Sequence, residues 1–291
     1  MMASSDQPPI RLGLPKGRMQ DGVVQLLADA GIDLTHGPRE YRPRISLAGF
    51  EVKFLKPQNM IEMLHAGSRD VGFAGADWVA ELGAELVELV DTDLNPVRLV
   101  AATTPEFADN GGPGTKPFVV ASEYASLTNA WIKKRGYNAS VLRSFGTTEV
   151  FPPEDADYIV DVTATMATLE ANNLVIVDEL LTSSTRLYAN PAVLDDPVRR
   201  DAIERFVLVL KAVLEARKRV MVEVNVPADR LEALIAVLPC MREPTVSPLH
   251  GDTGYAVKAA VPREDLASII PEIKAQGGSD IVVTKLAQIV P

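Results

Sequence analysis

Short apolar runs alternate with amphipathic segments along the first two thirds of the chain. Runs typical of strands occupy residues 10–14, 97–103, 117–121 and 174–181, and helical periodicity marks residues 19–30, 125–135 and 198–216. Residues 41–55 alternate on either side of Gly49, which predicts a hairpin. Strands separated by helices predict an α/β architecture with parallel strands.

The pattern changes after Arg219. Alternating runs at residues 219–226, 245–248, 255–261 and 281–284 predict strands, and residues 228–238 and 263–275 predict helices. This order, βαββαβ, is that of a ferredoxin-like domain. Its length of about 75 residues is sufficient for a separate core.

A hydroxyl-rich loop follows a strand-like run that includes Asp161. Thr163, Thr165 and Thr168 precede or begin a predicted helix, where unpaired backbone N–H groups and hydroxyls can bind an anion. Asp161 is then placed to accept hydrogen bonds from sugar hydroxyls. The alternative is structural, because threonines before helices commonly act as caps and form local turns.

The first predicted strand ends in a loop of similar position but different chemistry. Lys16 and Arg18 lie in the turn Pro15-Lys16-Gly17-Arg18 between strand and helix, where both cations can reach a polyphosphate. The alternative is an ordinary turn with two surface cations. Asp77 and Glu149 also lie near predicted helix starts, where acids commonly stabilise a helix terminus.

Composition removes several classes of protein. With 291 residues, 47% hydrophobic and 23% charged, the chain is neither disordered nor fibrous. A net charge of −10 argues against nucleic-acid or anionic-membrane binding. Residues 1–9 lack an export signal, no long apolar run predicts a membrane span, and the single cysteine, Cys240, indicates a cytoplasmic location. His36, His65 and His250 lack the spacing of a zinc site.

Several of these segments together resemble the ATP phosphoribosyltransferases, the first enzymes of histidine biosynthesis. Asp161, Thr165, Thr168, Leu169, Asn172 and Leu174 match the family's loop for phosphoribosyl pyrophosphate (PRPP), and Met166 replaces its glycine. Further matches are Leu-Pro-Lys-Gly-Arg at 14–18, the Asp-x-Gly-x-x-Gly-x-Asp run at 70–77, Gly-x-x-Glu at 146–149 and the 244–249 segment of the long form. Lys56 and Asn59 depart from the family pattern.

The resemblance implies a fold, a reaction and site residues. It implies a two-lobed catalytic region like that of periplasmic binding proteins, with residues 1–103 and 185–216 in one subdomain and 104–184 in the other, and a ferredoxin-like regulatory domain at 217–291. The implied reaction joins ATP to PRPP with Mg²⁺. Lys16, Arg18, Lys56 and Asp161 are the implied catalytic residues. The implied ligands are, for PRPP, Asp161, Thr163, Ala164, Thr165, Met166, Ala167 and Thr168, and, for ATP, Arg18, Asp77 and Glu149.

The resemblance also implies regulation. Histidine, the end product, is expected to inhibit by binding at Thr245, Val246, Ser247 and Leu249, and the chain is expected to form dimers and hexamers. Because Met166, Lys56 and Asn59 depart from the pattern, a regulatory or ligand-binding relative without turnover remains the alternative. A solute-binding receptor is a third hypothesis, which the absent export signal and the appended domain oppose.

Overall fold

The computed structural model describes residues 8–35, 37, 41–112 and 114–290. His36 and residues 1–7, on which parts of the zinc and export predictions depend, lie outside these ranges. The strands are β1 Ile10–Pro15, β2 Leu34–Thr35, β3 Arg44–Ile45, β4 Phe50–Leu55, β5 Val71–Gly75, β6 Val87–Thr103, β7 Phe118–Ser122, β8 Ala139–Arg143, β9 Tyr158–Thr163, β10 Val175–Ala189, β11 Arg219–Val226, β12 Thr245–Pro248, β13 Tyr255–Pro262 and β14 Ser279–Lys285.

The helices alternate with these strands much as the periodicity predicts. They are α1 Gln20–Asp29, α2 Pro57–His65, α3 Ala76–Leu82, α4 Pro105–Asp109, α5 Ala125–Arg135, α6 Ala167–Ala171, α7 Pro197–Lys218, α8 Leu231–Val237 and α9 Leu266–Ala275, with short 3-10 turns at Thr148–Val150, Pro191–Leu194 and Ala228–Arg230. Within the described ranges, no helix has both the length and the apolar character needed to cross a membrane.

Internal contacts divide the chain into two compact units. The first unit extends to Ile203 without Asp29–Gly31, and the second unit comprises Asp29–Gly31 and the chain from Glu204 onward. The first unit contains a sheet of eight strands in the order β4-β1-β5-β10-β6-β9-β7-β8. Strands β4, β1 and β5 are parallel to one another, as are β9, β7 and β8. We call the first group, with α2 and α3, lobe I, and the second, with α5 and α6, lobe II.

The α/β class and the two parallel groups confirm the prediction, but the centre of the sheet is antiparallel. Strands β6 and β10 pair with each other, and β10 pairs with β5 and β6 with β9 in antiparallel fashion. The sequence pattern predicts a strand at 174–181, whereas the structure continues it to Ala189 as β10. The pairing continues through register shifts near Ser183 and Thr185, and these bulges hide the continuity of the strand from a simple alternation pattern.

The predicted hairpin at residues 41–55 is wrong. Strand β3 pairs with β2, whereas β4 pairs in parallel with β1. The physical reason is burial: Val52, Phe54 and Leu55 are almost fully buried, and a place beside β1 buries these side chains better than an isolated two-stranded hairpin.

The second unit has the predicted ferredoxin-like order. Its four strands are arranged β12-β13-β11-β14, and all neighbours are antiparallel. Alternate residues of β11 and β13 point to the same face of the sheet. On that face their side chains pack against α8 and α9. The cluster of buried residues between this sheet and its helices is entirely aliphatic and comprises Val220, Val222, Val224, Val226, Leu234, Leu238, Val257, Ala259, Val261, Ile269 and Ile273.

Candidate functional site

The register of the central strands brings the carboxyl ends of both lobes to the same part of the sheet. Gly75, at the end of β5, pairs with Thr185 of β10. Thr163, at the end of β9, pairs with Arg98 of β6, which pairs with Thr182 of β10. Because β5 and β9 run in opposite directions, their carboxyl ends approach each other from the two lobes. Ligand sites of open α/β sheets lie at such strand ends.

A pocket of about 130 Å³ lies at the carboxyl end of β9. The pocket is lined by Asp161, by the end of β9 and the loop that follows it, and by Glu149 from the turn after β8. Its lining residues are Glu149, Ile159, Asp161, Val162, Thr163, Ala164, Thr165, Thr168 and Leu169. The loop continues into α6, which is only five residues long, so hydroxyls and loop amides contribute more to anion binding than a helix dipole does.

Asp161 is the acid whose protonation is most affected by this pocket. Burial raises its pKa to about 6, while hydrogen bonds from the Val162 N–H and the Thr148 hydroxyl oppose that rise. The charges of Glu149 and Glu123 raise the pKa further. The Val162 N–H lies 2.6 Å from Oδ1 of Asp161. Near neutral pH the carboxylate is therefore ionised and available to accept hydrogen bonds from a sugar.

Sequence reasoning did not find Thr148 and Ser144. The Thr148 side chain is fully buried, and its Oγ1 atom lies 2.9 Å from the Oγ atom of Ser144, which is also buried. A threonine beside a glycine turn has no sequence signal that distinguishes it from a surface loop residue. Only the packing of the turn after β8 buries this hydroxyl beside Ser144.

Met166 occupies the position immediately before α6, with φ 8° and ψ −11°. Its residue surface is 39% exposed, and neither Met166 nor Ala167 is among the residues that line the pocket. The Met166 side chain therefore leaves the pocket volume unoccupied. The pocket forms around the remaining residues of the loop even though methionine replaces the family's glycine.

Lobe I places its candidate cations at the ends of two adjacent parallel strands. Pro15 of β1 pairs with Leu55 of β4, and the Lys16 N–H donates to the Leu55 carbonyl at 2.8 Å. Lys16 and Lys56 consequently extend from neighbouring strand ends. The Lys16 ammonium lies 3.9 Å from the centre of the Tyr41 ring, a cation–π contact that limits where this flexible side chain can move. Arg18 and Lys56 are exposed.

Asp77 is buried rather than open to the pocket. Its residue is 3% exposed, and its carboxylate accepts hydrogen bonds from the Tyr124 hydroxyl and the Ser183 hydroxyl, both at 2.7 Å. It does not form the side-chain cap of α3 that its position indicates. Burial and the charge of Asp77 raise the pKa of Tyr124, so the phenol stays protonated and donates. Asp77 thus joins α3 of lobe I to the start of α5 in lobe II.

Glu81 makes a second connection between the lobes. Its two carboxylate oxygens accept the N–H groups of Ser126 and Leu127, at 2.9 and 3.0 Å, in the first turn of α5. These N–H groups have no partner within their own helix, and a carboxylate at a helix N-terminus also interacts favourably with the dipole. The rings of Trp78 and Tyr124 pack with centroids 4.7 Å apart beside it. Helix α3 therefore supplies both a cap and an aromatic contact to lobe II.

Comparison with known proteins agrees with this geometry. A family model described as ATP phosphoribosyltransferase matches residues 56–212, and one described as its C-terminal domain matches residues 216–288. The chain belongs to the ATP phosphoribosyltransferase family. The ATP phosphoribosyltransferase of Pelotomaculum thermopropionicum is 35% identical over 97% of this chain and 99% of its own length. That of Chlorobium luteolum is 36% identical, covering 94% of each chain.

A solved structure supports the same assignment to the ATP phosphoribosyltransferase family. The ATP phosphoribosyl transferase (HisG:HisZ) complex from Thermotoga maritima contains a chain that is 25% identical, with a TM-score of 0.62, covering 71% of this chain and 98% of that one. The match to the C-terminal domain indicates the long form of the family. The resemblance seen in the motifs is thereby confirmed.

The four predicted histidine-binding residues can also be placed. Thr245, Val246 and Ser247 lie on the exposed edge strand β12, and the Leu249 N–H donates to the Gly254 carbonyl at 2.9 Å, so all four belong to the second unit. Among the residues that the structure describes, no three His, Cys, Asp or Glu side chains cluster as ligands for a metal ion.

Proposed function

We propose that the chain transfers the phosphoribosyl group of PRPP to ATP, giving phosphoribosyl-ATP and pyrophosphate. This is the first step of histidine biosynthesis and a pentosyl transfer. The observation that carries the proposal is the meeting of two chemically different strand ends. A hydroxyl and amide pocket with Asp161 lies on lobe II, and Lys16, Lys56 and Arg18 extend from lobe I at the opposing carboxyl edge.

The reaction depends mainly on the alignment of its two substrates, ATP and PRPP. A ring nitrogen of adenine attacks the anomeric carbon of PRPP, a nitrogen–carbon bond forms, and the bond from that carbon to the pyrophosphate oxygen breaks. The nitrogen uses its lone pair, so a general base is not required. Catalysis then comes from holding the two substrates in line and stabilising the charge that develops on pyrophosphate.

Each lobe has a distinct part in this proposal. Amides and hydroxyls of Thr163, Thr165 and Thr168 hold the 5-phosphate of PRPP, together with the Ala164, Met166 and Ala167 backbone. Asp161 accepts hydrogen bonds from the ribose hydroxyls. Lys16, Arg18 and Lys56 stabilise pyrophosphate or the ATP phosphates as cations.

Glu149 lines the PRPP pocket and is proposed to contact an ATP ribose or the adenine amino group. The family resemblance also implies that Asp77 binds ATP. Because its two carboxylate oxygens already accept hydrogen bonds from Tyr124 and Ser183, we propose that it serves ATP binding by holding α3 against lobe II.

Mg²⁺ is proposed as the metal of the reaction. Polyphosphate substrates commonly carry Mg²⁺ on their own oxygens with few protein ligands. The described residues fit this mode, since the pocket offers the carboxylates of Asp161 and Glu149 without a cluster of three acids. When bound, the ion supplies positive charge to the pyrophosphate that leaves. No protein ligand to it is assigned.

We propose the domain division 1–103 with 185–216, 104–184 and 217–291, with the last as a regulatory domain. Histidine is proposed to bind it at Thr245, Val246, Ser247 and Leu249 and to lower turnover at the other unit, with dimers and hexamers as the assembled forms in the cytoplasm. Binding apart from the active site that changes its activity is what makes such inhibition allosteric. Titrating histidine into the full chain and its Ser247→Ala variant tests this: inhibition unchanged in the variant contradicts the assigned residues.

The activity itself is tested by following phosphoribosyl-ATP in the ultraviolet with ATP, PRPP and Mg²⁺. We expect product only when all three are present, and we expect the Michaelis constant for PRPP to rise at least tenfold in Thr165→Val and Thr168→Val, since each loses a hydroxyl donor to an anion. Absence of product from the wild-type chain would favour the alternative of a regulatory relative without turnover. Unchanged Michaelis constants in both variants would show that these two hydroxyls do not bind PRPP.

A further inference from the structure

Ser183 lies in β10 at the point where the central sheet passes from one lobe to the other. Thr185 pairs with Gly75 at the end of β5 in lobe I, whereas Thr182, on the other side of Ser183, pairs with Arg98 of β6. The register of β10 against β6 shifts between Ser183 and Thr185. Because such irregularities bend and twist a strand, regular sheet pairing alone does not set the angle between the lobes here.

The Asp77 carboxylate connects this crossing to both lobes. Its Oδ1 atom accepts a hydrogen bond from the Ser183 hydroxyl at 2.7 Å, and the Asp77 N–H donates to the same Ser183 oxygen at 3.0 Å. Its Oδ2 atom accepts from the Tyr124 hydroxyl at 2.7 Å. One side chain of α3 in lobe I is therefore bonded both to the crossing strand and to the segment that leads into α5 in lobe II. We call Asp77, Tyr124 and Ser183 the interlobe cluster.

All three members of the interlobe cluster are almost fully buried. Hydrogen bonds that are shielded from water are electrostatically stronger, and each buried polar group destabilises the fold if it loses its partner. The cluster therefore resists small displacements of one lobe against the other, since such a displacement would stretch bonds that water cannot replace.

Gly75, directly before α3, leaves room for the Asp77 carboxylate. A Cβ atom at position 75 would lie 2.3 Å from Oδ1 of Asp77, much closer than van der Waals contact allows. The φ of −73° and ψ of 137° at Gly75 are values that any residue adopts, so the glycine is not required for its backbone freedom. Its presence is explained by the space that the carboxylate occupies as it turns back to Ser183.

Glu81 extends the connection one turn further along α3. Its carboxylate accepts the N–H groups of Ser126 and Leu127 at 2.9 and 3.0 Å, and the Trp78 ring packs on the Tyr124 ring with centroids 4.7 Å apart. Helix α3 thus contacts the start of α5 along its length rather than at one point. A sliding motion of α3 over α5 would disturb several directional hydrogen bonds at once.

The elements joined in this way carry the two halves of the proposed active site. The PRPP pocket is lined by residues between Glu149 and Leu169, all from lobe II. Lys16 and Lys56 extend from neighbouring strand ends of lobe I. The separation between these cations and the pocket therefore depends on how firmly the two lobes are joined.

We propose that Tyr124 and Ser183 are positioning residues which, through Asp77, hold the cations of lobe I at the distance from the PRPP pocket that phosphoribosyl transfer requires. The inference rests on the proposed function, since it concerns the alignment of the same two substrates. Its physical basis is the sensitivity of such reactions to misplacement, because a shift of about 1 Å can lower the rate about 10²-fold.

The first test measures kcat and KM separately in Tyr124→Phe and Ser183→Ala. Phenylalanine keeps the ring against Trp78 and removes only the hydroxyl, whereas alanine removes the hydroxyl that both donates to and accepts from Asp77. We expect kcat to fall about tenfold in each variant, because the substrates are held less well in line. We expect KM for PRPP to change by less than about threefold, because the pocket itself lies within lobe II.

The second test measures the distance between the lobes directly. Spin labels are placed at Glu62→Cys in α2 and Lys133→Cys in α5, both exposed positions, in a Cys240→Ser background that removes the single native cysteine. Double electron–electron resonance on labelled chain diluted with excess unlabelled chain gives the distribution of distances. We expect a broader distribution when Tyr124→Phe is added, since the bond that limits displacement of the lobes is lost.

Thr103→Val is the matched control. Thr103 is fully buried and its Oγ1 donates to the Asp157 carbonyl at 2.6 Å, but both residues lie on the lobe II side of the sheet. Loss of this bond is expected to lower stability about as much as loss of the Tyr124 hydroxyl does, with kcat and the label distance unchanged. If Thr103→Val lowers kcat as far as Tyr124→Phe does, the effect is a general loosening of the fold and the proposal fails.

The remaining outcomes separate this inference from the proposed function. A wild-type chain that makes no phosphoribosyl-ATP contradicts both, because there is then no transfer to align. An active wild type with unchanged kcat in folded Tyr124→Phe and Ser183→Ala contradicts the positioning role alone, as does a rise in KM for PRPP as large as the fall in kcat. If Tyr124→Phe does not fold, Ser183→Ala decides in both the kinetic and the distance measurement.

Discussion

The two units of the protein differ in what they bury. Among the described residues, every buried polar or charged side chain lies between Asp70 and Thr185 in the first unit. The buried cluster of the second unit contains only valine, leucine, isoleucine and alanine. A buried polar group destabilises the fold unless it is hydrogen-bonded, so its presence usually has a positional purpose.

This difference shows in which unit the fold fixes the orientation of polar side chains. In the first unit the buried carboxylates of Asp77 and Glu81 connect one lobe to the other. In the second unit the aliphatic core stabilises the sheet and specifies no polar orientation. Changes in the first unit should therefore alter turnover and its pH dependence, and changes in the second core should alter stability alone.

The largest effect is expected from Asp161→Ala. The variant removes the carboxylate proposed to bind the ribose hydroxyls, and turnover should fall by about 10²–10³-fold, as for other groups that orient a reacting substrate. Steady-state kinetics with ATP and PRPP measures it. Asp155→Asn, an exposed acid of the same lobe, is the control and should stay within about 0.5 kcal/mol of wild-type stability. Wild-type turnover in Asp161→Ala would remove this residue from the mechanism.

In the second unit, Leu234→Ala is expected to destabilise without a catalytic effect. Leu234 is fully buried in the aliphatic core, and truncation of such a side chain costs about 2–5 kcal/mol. Urea unfolding followed by circular dichroism gives the change. The exposed Val283 of β14 provides the control, since Val283→Ala should change stability by less than about 1 kcal/mol. A shifted pH profile in folded Leu234→Ala would contradict the division between the units.

The raised pKa of Asp161, about 6, predicts a pH dependence of stability. Because the native state holds this proton more tightly than the unfolded chain does, the contribution of Asp161 to stability falls as pH rises from about 4 to about 6 and stays low above that. At pH 8, Asp161→Asn should therefore raise the free energy of unfolding by about 1–3 kcal/mol. Unfolding titrations at pH 4 and pH 8 check the sign: an equal effect of the variant at both pH values contradicts it.

A smaller effect is expected where Glu81 connects the lobes. Glu81→Ala leaves two N–H groups at the start of α5 without their carboxylate, which should lower stability by about 1–2 kcal/mol. Hydrogen exchange at Ser126 and Leu127 should also accelerate. The exposed Glu62 of α2 is the matched control, and Glu62→Ala should change neither quantity appreciably. Unchanged exchange at Ser126 in Glu81→Ala would show that this cap is not maintained in solution.

The smallest effect is expected at Met166. Since this side chain is partly exposed and absent from the pocket lining, Met166→Gly should change the Michaelis constant for PRPP by less than about threefold, which is below 1 kcal/mol. Kinetics with PRPP as the varied substrate measures it. A large gain in affinity would show instead that methionine impairs the loop.

Local patterns predicted much of the chain. The helix at residues 125–135 and the strand at 219–226 coincide with α5 and β11, because periodicity and glycine or proline boundaries are local properties. The loop motif around Asp161 likewise indicated its pocket. The hairpin at 41–55 was predicted wrongly, since partner choice for a strand depends on what else can cover its apolar face.

The sequence by itself determined the family, the α/β and ferredoxin-like element orders, and the two loops of contrasting chemistry. Each of these features depends on residues that are neighbours in the chain. Only the tertiary structure decided that β6 and β10 run antiparallel through the centre, that Asp77 accepts hydrogen bonds from Tyr124 and Ser183, and that Glu81 caps α5. These contacts join residues distant in the chain, and the hydrogen bonds of Asp77 and Glu81 to α5 exist only after the two lobes have packed.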